Sequence, residues 1–217
     1  MPVFPDSKSI FVHINKCGGT TIEGLFFSKG QANPANLYGG VNKDGFNRYG
    51  ESGALHHLSA KNIQIALGDE VFNQYFKFTF VRDPWRRAVS QYCYTKGRHD
   101  LQRWIGLEEG FSFINYLKAI LKCPNHVQFQ PQHKFIYNDG KLLVDFVGRL
   151  ESMNQDIETL CGFLKVPVPK VIPTANSRLP KDYRLFYGPE EESLVLEKYS
   201  KDFELFNYSK DPPSSLL

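Results

Sequence analysis

Residues 9–26, SIFVHINKCGGTTIEGLF, decide the fold. Ser9–Ile14 is a short apolar run with β-branched and aromatic members, suited to a buried strand, and it ends at Gly18-Gly19. Ile22, Leu25 and Phe26 then fall on one face of a helix, with Thr20 as N-cap and Glu23 three residues on in a capping-box arrangement. The order is strand, glycine turn, helix. It recurs in residues 76–92, FKFTFVRDPWRRAVSQY. There Phe76–Val81 has strong β propensity, Asp83 is placed as N-cap and Pro84 at the first helical position, and Trp85, Ala88, Val89 and Tyr92 follow at helical spacing.

Working outward, Ser59–Leu67 predicts a helix stopped by Gly68, and Phe111–Leu121 an amphipathic helix along Phe113, Tyr116, Leu117 and Ile120. Leu142–Val147 is the third strand candidate. Met153, Ile157, Leu160, Cys161 and Leu164 form the stripe of a helix buried on one side, and Glu190–Tyr199 predicts a last helix. Gln31–Gly53 and Pro167–Arg184 have no clean period and are expected to be loops. Strands alternating with helices imply an α/β fold of P-loop-like, three-layer type, a central parallel sheet flanked by helices. At 217 residues the chain suits a single domain over 1–217, and with 18 Phe, 11 Tyr and 2 Trp its core is expected to be aromatic.

A net charge of +3 and a pI near 8.6 are too mild for wholesale binding to nucleic acid. The excess is local: Arg82–Arg103 holds Arg82, Arg86, Arg87, Lys96, Arg98 and Arg103 against Asp83 and Asp100. That concentration points to an anion site, with a solvated basic helix face as the plainer alternative. Cys17, Cys93, Cys123 and Cys161 have neither metal-ligand nor disulfide-scaffold spacing. The first residues lack a basic, apolar leader pattern, and no window is long and apolar enough to span a bilayer. A soluble, cytoplasmic protein without membrane insertion is expected.

The chemistry concentrates at the two strand-to-helix junctions. Lys16, Cys17, Gly18, Gly19, Thr20 and Thr21 form an anion cradle, since glycines let backbone N–H groups approach phosphate oxygens, the helix start favours negative charge, and Lys16 adds a point charge. The lysine precedes the glycines, so the loop is not a Walker A motif. At the second junction Arg82 sits at the C-terminal end of a strand and Ser90 two turns into the next helix, together suited to a second phosphate.

These two segments resemble the 5′-phosphosulfate loop and the 3′-phosphate motif of sulfotransferases that use 3′-phosphoadenosine 5′-phosphosulfate (PAPS), in the carbohydrate, Golgi-type branch of sulfotransferase family 2. His57-Leu58-Ser59-Ala60 followed by Leu67-Gly68-Asp69, and Phe146–Glu151 (FVGRLE), are similar to two further segments of that branch, in family order from Ile10 to about Leu164. Asn15 and Cys17 stand where the family usually has Pro and Thr, and Asp83 where Asn or Glu is common.

The resemblance implies PAPS as donor, PAP as product and no metal. Lys16, Cys17, Gly18, Gly19, Thr20 and Thr21 would hold the 5′ end, Arg82 and Ser90 the 3′-phosphate, and Arg178, Lys181 and Arg184 a basic loop over the nucleotide. Lys16 would stabilise the leaving oxygen. His57, with His56 as its neighbour, would be the general base toward an acceptor hydroxyl, a glycan by family likeness. His13 is expected to be core, His126 and His133 surface or cleft, and Arg149 either orienting or structural. Tyr38, Phe46, Tyr49 and Trp104 are candidates to stack on a sugar. A P-loop nucleotide kinase and a non-catalytic nucleotide-binding module are the alternatives.

Overall fold

The computed structural model describes residues 3–26, 55–123, 126–172, 180 and 182–211. The expected loop Gln31–Gly53, with Tyr38, Phe46 and Tyr49, falls outside them, as do Arg178 and Lys181. The chain divides into two compact units, residues 1–82 with 132–175, and residues 83–131 with 176–217.

The first unit is built on a four-stranded sheet flanked by helices. Its strands are β1 (Val3–Phe4), β2 (Ser9–Val12), β3 (Phe76–Val81) and, later in the chain, Phe146–Arg149. The order is β1, β2, β3, then Phe146–Arg149, and β2, β3 and Phe146–Arg149 run parallel. Only β1 is antiparallel, a short edge the sequence pattern does not announce. The segment Leu142–Val147 does not form one strand. Tyr137–Asn138 (β4) and Lys141–Leu142 (β5) make a separate hairpin, and the sheet strand β6 is Phe146–Arg149. Asp145 marks the boundary: its carboxylate accepts the Lys77 N–H at 2.8 Å and meets Lys77 Nζ at 2.9 Å.

Helix α1 covers Gly19–Phe26, two residues earlier than a Thr20 N-cap requires, and the Gly18 carbonyl accepts from the N–H groups of Thr21 and Ile22. The Glu23 carboxylate that would complete a capping box is committed to His13 instead. A single 3-10 turn, Leu55–His57, precedes α2 (Ala60–Leu67), which Ser59 caps through its hydroxyl and Gly68 ends at φ 81°. Helix α3 (Asp69–Gln74) follows at once, unforeseen because it is too short for a period to show. Phe11, Phe78, Phe80, Ile22, Ile157, Leu160 and Cys161 form the core of this unit. The last three lie on the stripe anticipated for the helix Met153–Leu164.

The second unit is helical. Helix α4 (Pro84–Thr95) begins as its sequence requires, with the Asp83 carboxylate accepting from the Trp85 N–H at 3.0 Å. Helices α5 (His99–Trp104) and α6 (Phe113–Lys122) precede the short α7 (His133–Ile136) of the first unit. With Met153–Leu164 as α8, the last helix is α9, Pro189–Leu205, kinked at Tyr199 (φ −116°, ψ 17°), where the expected Glu190–Tyr199 ends. Trp85, Tyr92, Phe113, Tyr116, Phe129, Tyr187, Tyr199 and Phe203 supply an aromatic core. Arg87 lies inside it, 1% exposed, donating to the Gln130 carbonyl at 3.0 Å, so it is no part of a solvated basic face. Arg86 remains at the surface over the Tyr183 ring, and Arg98 is held by Asp100 at 2.6 Å.

Candidate functional site

Parallel strands deliver whatever follows them to one edge of the sheet. Here that edge receives the loop after β2, Arg82 after β3 and Arg149 at the end of β6, with Val12 paired to Thr79 and Val81 to Arg149. The Thr79 hydroxyl donates to the Val12 carbonyl at 2.7 Å and fastens the ends of the first two strands.

The loop turns through Asn15–Gly18 before α1. Lys16 adopts φ 65° and Gly18 φ 83°. A left-handed lysine costs energy that a glycine would not, and it persists only where surroundings hold it. One such hold is visible. The Lys16 carbonyl accepts from Arg82 Nη1 at 3.3 Å. Both glycines disfavour a side chain: Gly18 through its positive φ, with a Cβ there meeting the side-chain ends of Met153 and Leu150, and Gly19 because a Cβ would meet the His13 ring. Lys16 is half-buried, Thr20 exposed, and Cys17 and Thr21 buried. The Cys17 thiol points inward, donating to Gln132 Oε1 at 3.1 Å, so its side chain is not offered to an anion.

Gln132 is a residue that sequence reasoning missed. Its amide grips the main chain of Arg82 twice, Oε1 accepting the N–H and Nε2 donating to the carbonyl, both at 2.8 Å. In the sequence it is one glutamine of a Gln-rich segment singled out only for its histidines.

Three imidazoles gather beside the loop. Ring centroids are 4.0 Å apart for His56 and His57, 4.5 Å for His13 and His57, and 5.9 Å for His13 and His56. His57 Nδ1 lies 3.0 Å from the His13 carbonyl, which only accepts, so Nδ1 carries the hydrogen and Nε2 the lone pair. Burial, then the neighbouring His13 and His56, holds the His57 pKa well below the usual imidazole range. His13 is buried, as expected of a core residue, and its pKa falls to about 3, mainly from burial and then from His56. Its 2.8 Å contact with the Glu23 carboxylate is therefore a hydrogen bond from a neutral ring near pH 7.

Among the described residues no group of His, Cys, Asp and Glu is placed to hold a metal ion, and no helix is long and apolar enough to cross a membrane. A family profile described as the sulfotransferase family matches residues 1–209. The chain belongs to the sulfotransferase family. An uncharacterized protein of Archaeoglobus fulgidus is 30% identical over 110 residues, 51% of this chain and 84% of that protein. No solved structure matches closely enough to count as a relative.

The remaining candidates of this sulfotransferase are each held by neighbours within their own unit. Ser90 is buried on α4, in the second unit. The Arg149 N–H donates to Asp156 Oδ2 at 2.6 Å, tying the end of β6 to α8. Arg184 is paired with Asp182 at 2.8 Å. His126 is buried edge-on to Trp104, its Nδ1 accepting the Gln128 N–H, which gives both rings packing work. His133 opens the short helix α7 and is half-buried.

Proposed function

We propose that the chain is one sulfotransferase domain that moves a sulfuryl group from PAPS to a hydroxyl of a carbohydrate acceptor, with His57 as general base. One observation supports the proposal: the loop holding Lys16 follows β2, Arg82 follows the adjacent parallel strand β3 and donates to the Lys16 carbonyl, and His57 Nδ1 is bonded to the carbonyl of His13, just past the end of β2. The donor assignment and the glycan rest on the resemblance of the motifs, and the family match supports the reaction class.

The junction suits a phosphate on physical grounds because Gly19 opens α1, whose N-terminus favours negative charge; the space beyond the two glycines is taken by Met153, Leu150 and the His13 ring. Bound there, the donor supplies the sulfuryl group and PAP as the leaving group. Lys16 and the backbone N–H groups of the loop hold the 5′ end, and the ammonium offsets negative charge developing on the oxygen that leaves sulfur. Arg82 holds the 3′-phosphate through its planar fork. Ser90 keeps its assignment to the same phosphate from the sequence motif. In transfer, the acceptor oxygen forms a bond to sulfur as the sulfur to phosphate-oxygen bond breaks, and the acceptor proton passes to His57 Nε2. The hydrogen bond from Nδ1 to the His13 carbonyl fixes the tautomer that makes this possible.

Calorimetric titration with PAP, with ATP as control, tests the donor. Binding of PAP without comparable binding of ATP is expected. Equal affinity for the two, or none for either, overturns the proposal, and labelled PAPS offered to glycan, phenolic and lipid hydroxyls then identifies the acceptor.

A further inference from the structure

We infer that Gln132 is a positioning residue that locks Arg82 to the Lys16–Thr21 loop and thereby sets the preference for a donor phosphorylated at the 3′ position, an inference that rests on the donor assignment proposed above. Gln132 is fully buried, at 0% exposure. Its amide pairs with both main-chain groups of Arg82, continuing by side chain the hydrogen bonding of a strand at the residue where β3 has just ended. The same Oε1 accepts the Cys17 thiol, and Arg82 Nη1 returns to the Lys16 carbonyl. The contacts close a ring: loop to Gln132, Gln132 to Arg82, Arg82 to loop.

Side-chain chemistry narrows what can serve here. Position 132 must accept and donate in one plane, which an amide does; an ionised carboxylate lacks the donor, and a thioether has no donor and only a weak acceptor. A buried amide is costly unless paired, so the partners hold Gln132 as firmly as it holds them. The base of the Arg82 side chain is then fixed relative to the loop, and with it the separation between the groups assigned to the two ends of the donor.

The test compares PAP with adenosine 5′-monophosphate, which lacks the 3′-phosphate, by calorimetry on the full chain. In Gln132→Met, PAP affinity should fall about tenfold while the monophosphate changes less than about twofold, the scale of one lost charge-assisted contact. In an Arg82→Lys background the same substitution should add little, since it acts through Arg82. Gln132→Asn, which keeps a buried amide too short for both contacts, gives the same loss of preference and serves if Gln132→Met does not fold. A parallel loss for both nucleotides, or effects that add, overturns the inference and leaves a purely structural glutamine. A wild type that binds both nucleotides alike overturns the donor assignment and this inference with it; a preference retained in the variants overturns this inference alone.

Discussion

The His13 ring occupies the space into which a side chain at Gly19 would grow. The ring cannot retreat freely, because its Nδ1 is bonded to Glu23 and its own carbonyl holds His57. The start of α1, the loop and the histidine cluster therefore move together or not at all.

Gly19→Ala tests that coupling. Alanine normally favours a helix over glycine, yet here the clash should cost roughly 1–3 kcal/mol, the range for overpacking a filled interior. Denaturant unfolding should show the loss, and PAP titration should show weakened binding. A variant as stable as wild type with unchanged binding would refute the coupling.

His57→Gln should lower kcat by about 10²- to 10⁴-fold, the usual worth of a positioned general base, with PAP affinity nearly unchanged. His56→Ala should cost less, since it is the His57 tautomer that the His13 carbonyl fixes. Single-turnover transfer from labelled PAPS distinguishes the two, and an unimpaired His57 variant would remove that residue from the mechanism.

For Lys16 and Arg82, the proposed anion ligands, the expectations differ. Lys16→Met should reduce turnover by about 10²- to 10³-fold, as removal of a donor to a developing oxyanion does elsewhere. Arg82→Lys keeps the charge but loses the fork, and PAP should bind roughly tenfold more weakly. Parallel measurement of kcat and PAP affinity checks both; a lysine at position 82 that binds PAP like wild type argues against bidentate recognition.

Stability should fall on acidification. The folded-state pKa of His13 is about 3 against 6.5 for an unburied ring, so between those values the unfolded chain binds more protons. The stability associated with the neutral ring is complete above pH 6.5 and is lost progressively as pH falls toward 3. His57 shifts in the same sense, whereas Glu23, raised chiefly by burial, works the other way at the acid end. Urea midpoints should decline from about pH 7 to about pH 4, and His13→Gln should flatten the decline. Equal slopes in the two proteins would remove His13 as its source.

The parts of the molecule legible in the chain are those governed by neighbours in sequence. Phe76–Val81 and the Asp83-Pro84 start of α4 are found where local propensity and capping put them. Local rules also mislead where a distant partner outbids them: Glu23 abandons its cap for His13, and Asp145 divides an apolar run that otherwise resembles one strand. Lys16, the two glycines and Arg82 could be proposed from the sequence because the residue types carry the chemistry themselves. Gln132 was not, since an amide declares nothing until its partners are known.

The alternation of strand and helix, the turn from β2 into α1 and the family were thus written into residue order, because caps and turns are made by residues a few positions apart. The tautomer of His57, the burial of Arg87 and the grip of Gln132 on Arg82 belong to the folded chain alone. His13 and His57 lie 44 residues apart, and Arg82 and Gln132 lie 50 apart. Which carbonyl a distant side chain meets is settled by how strands register and helices pack, and no spacing along the chain records it.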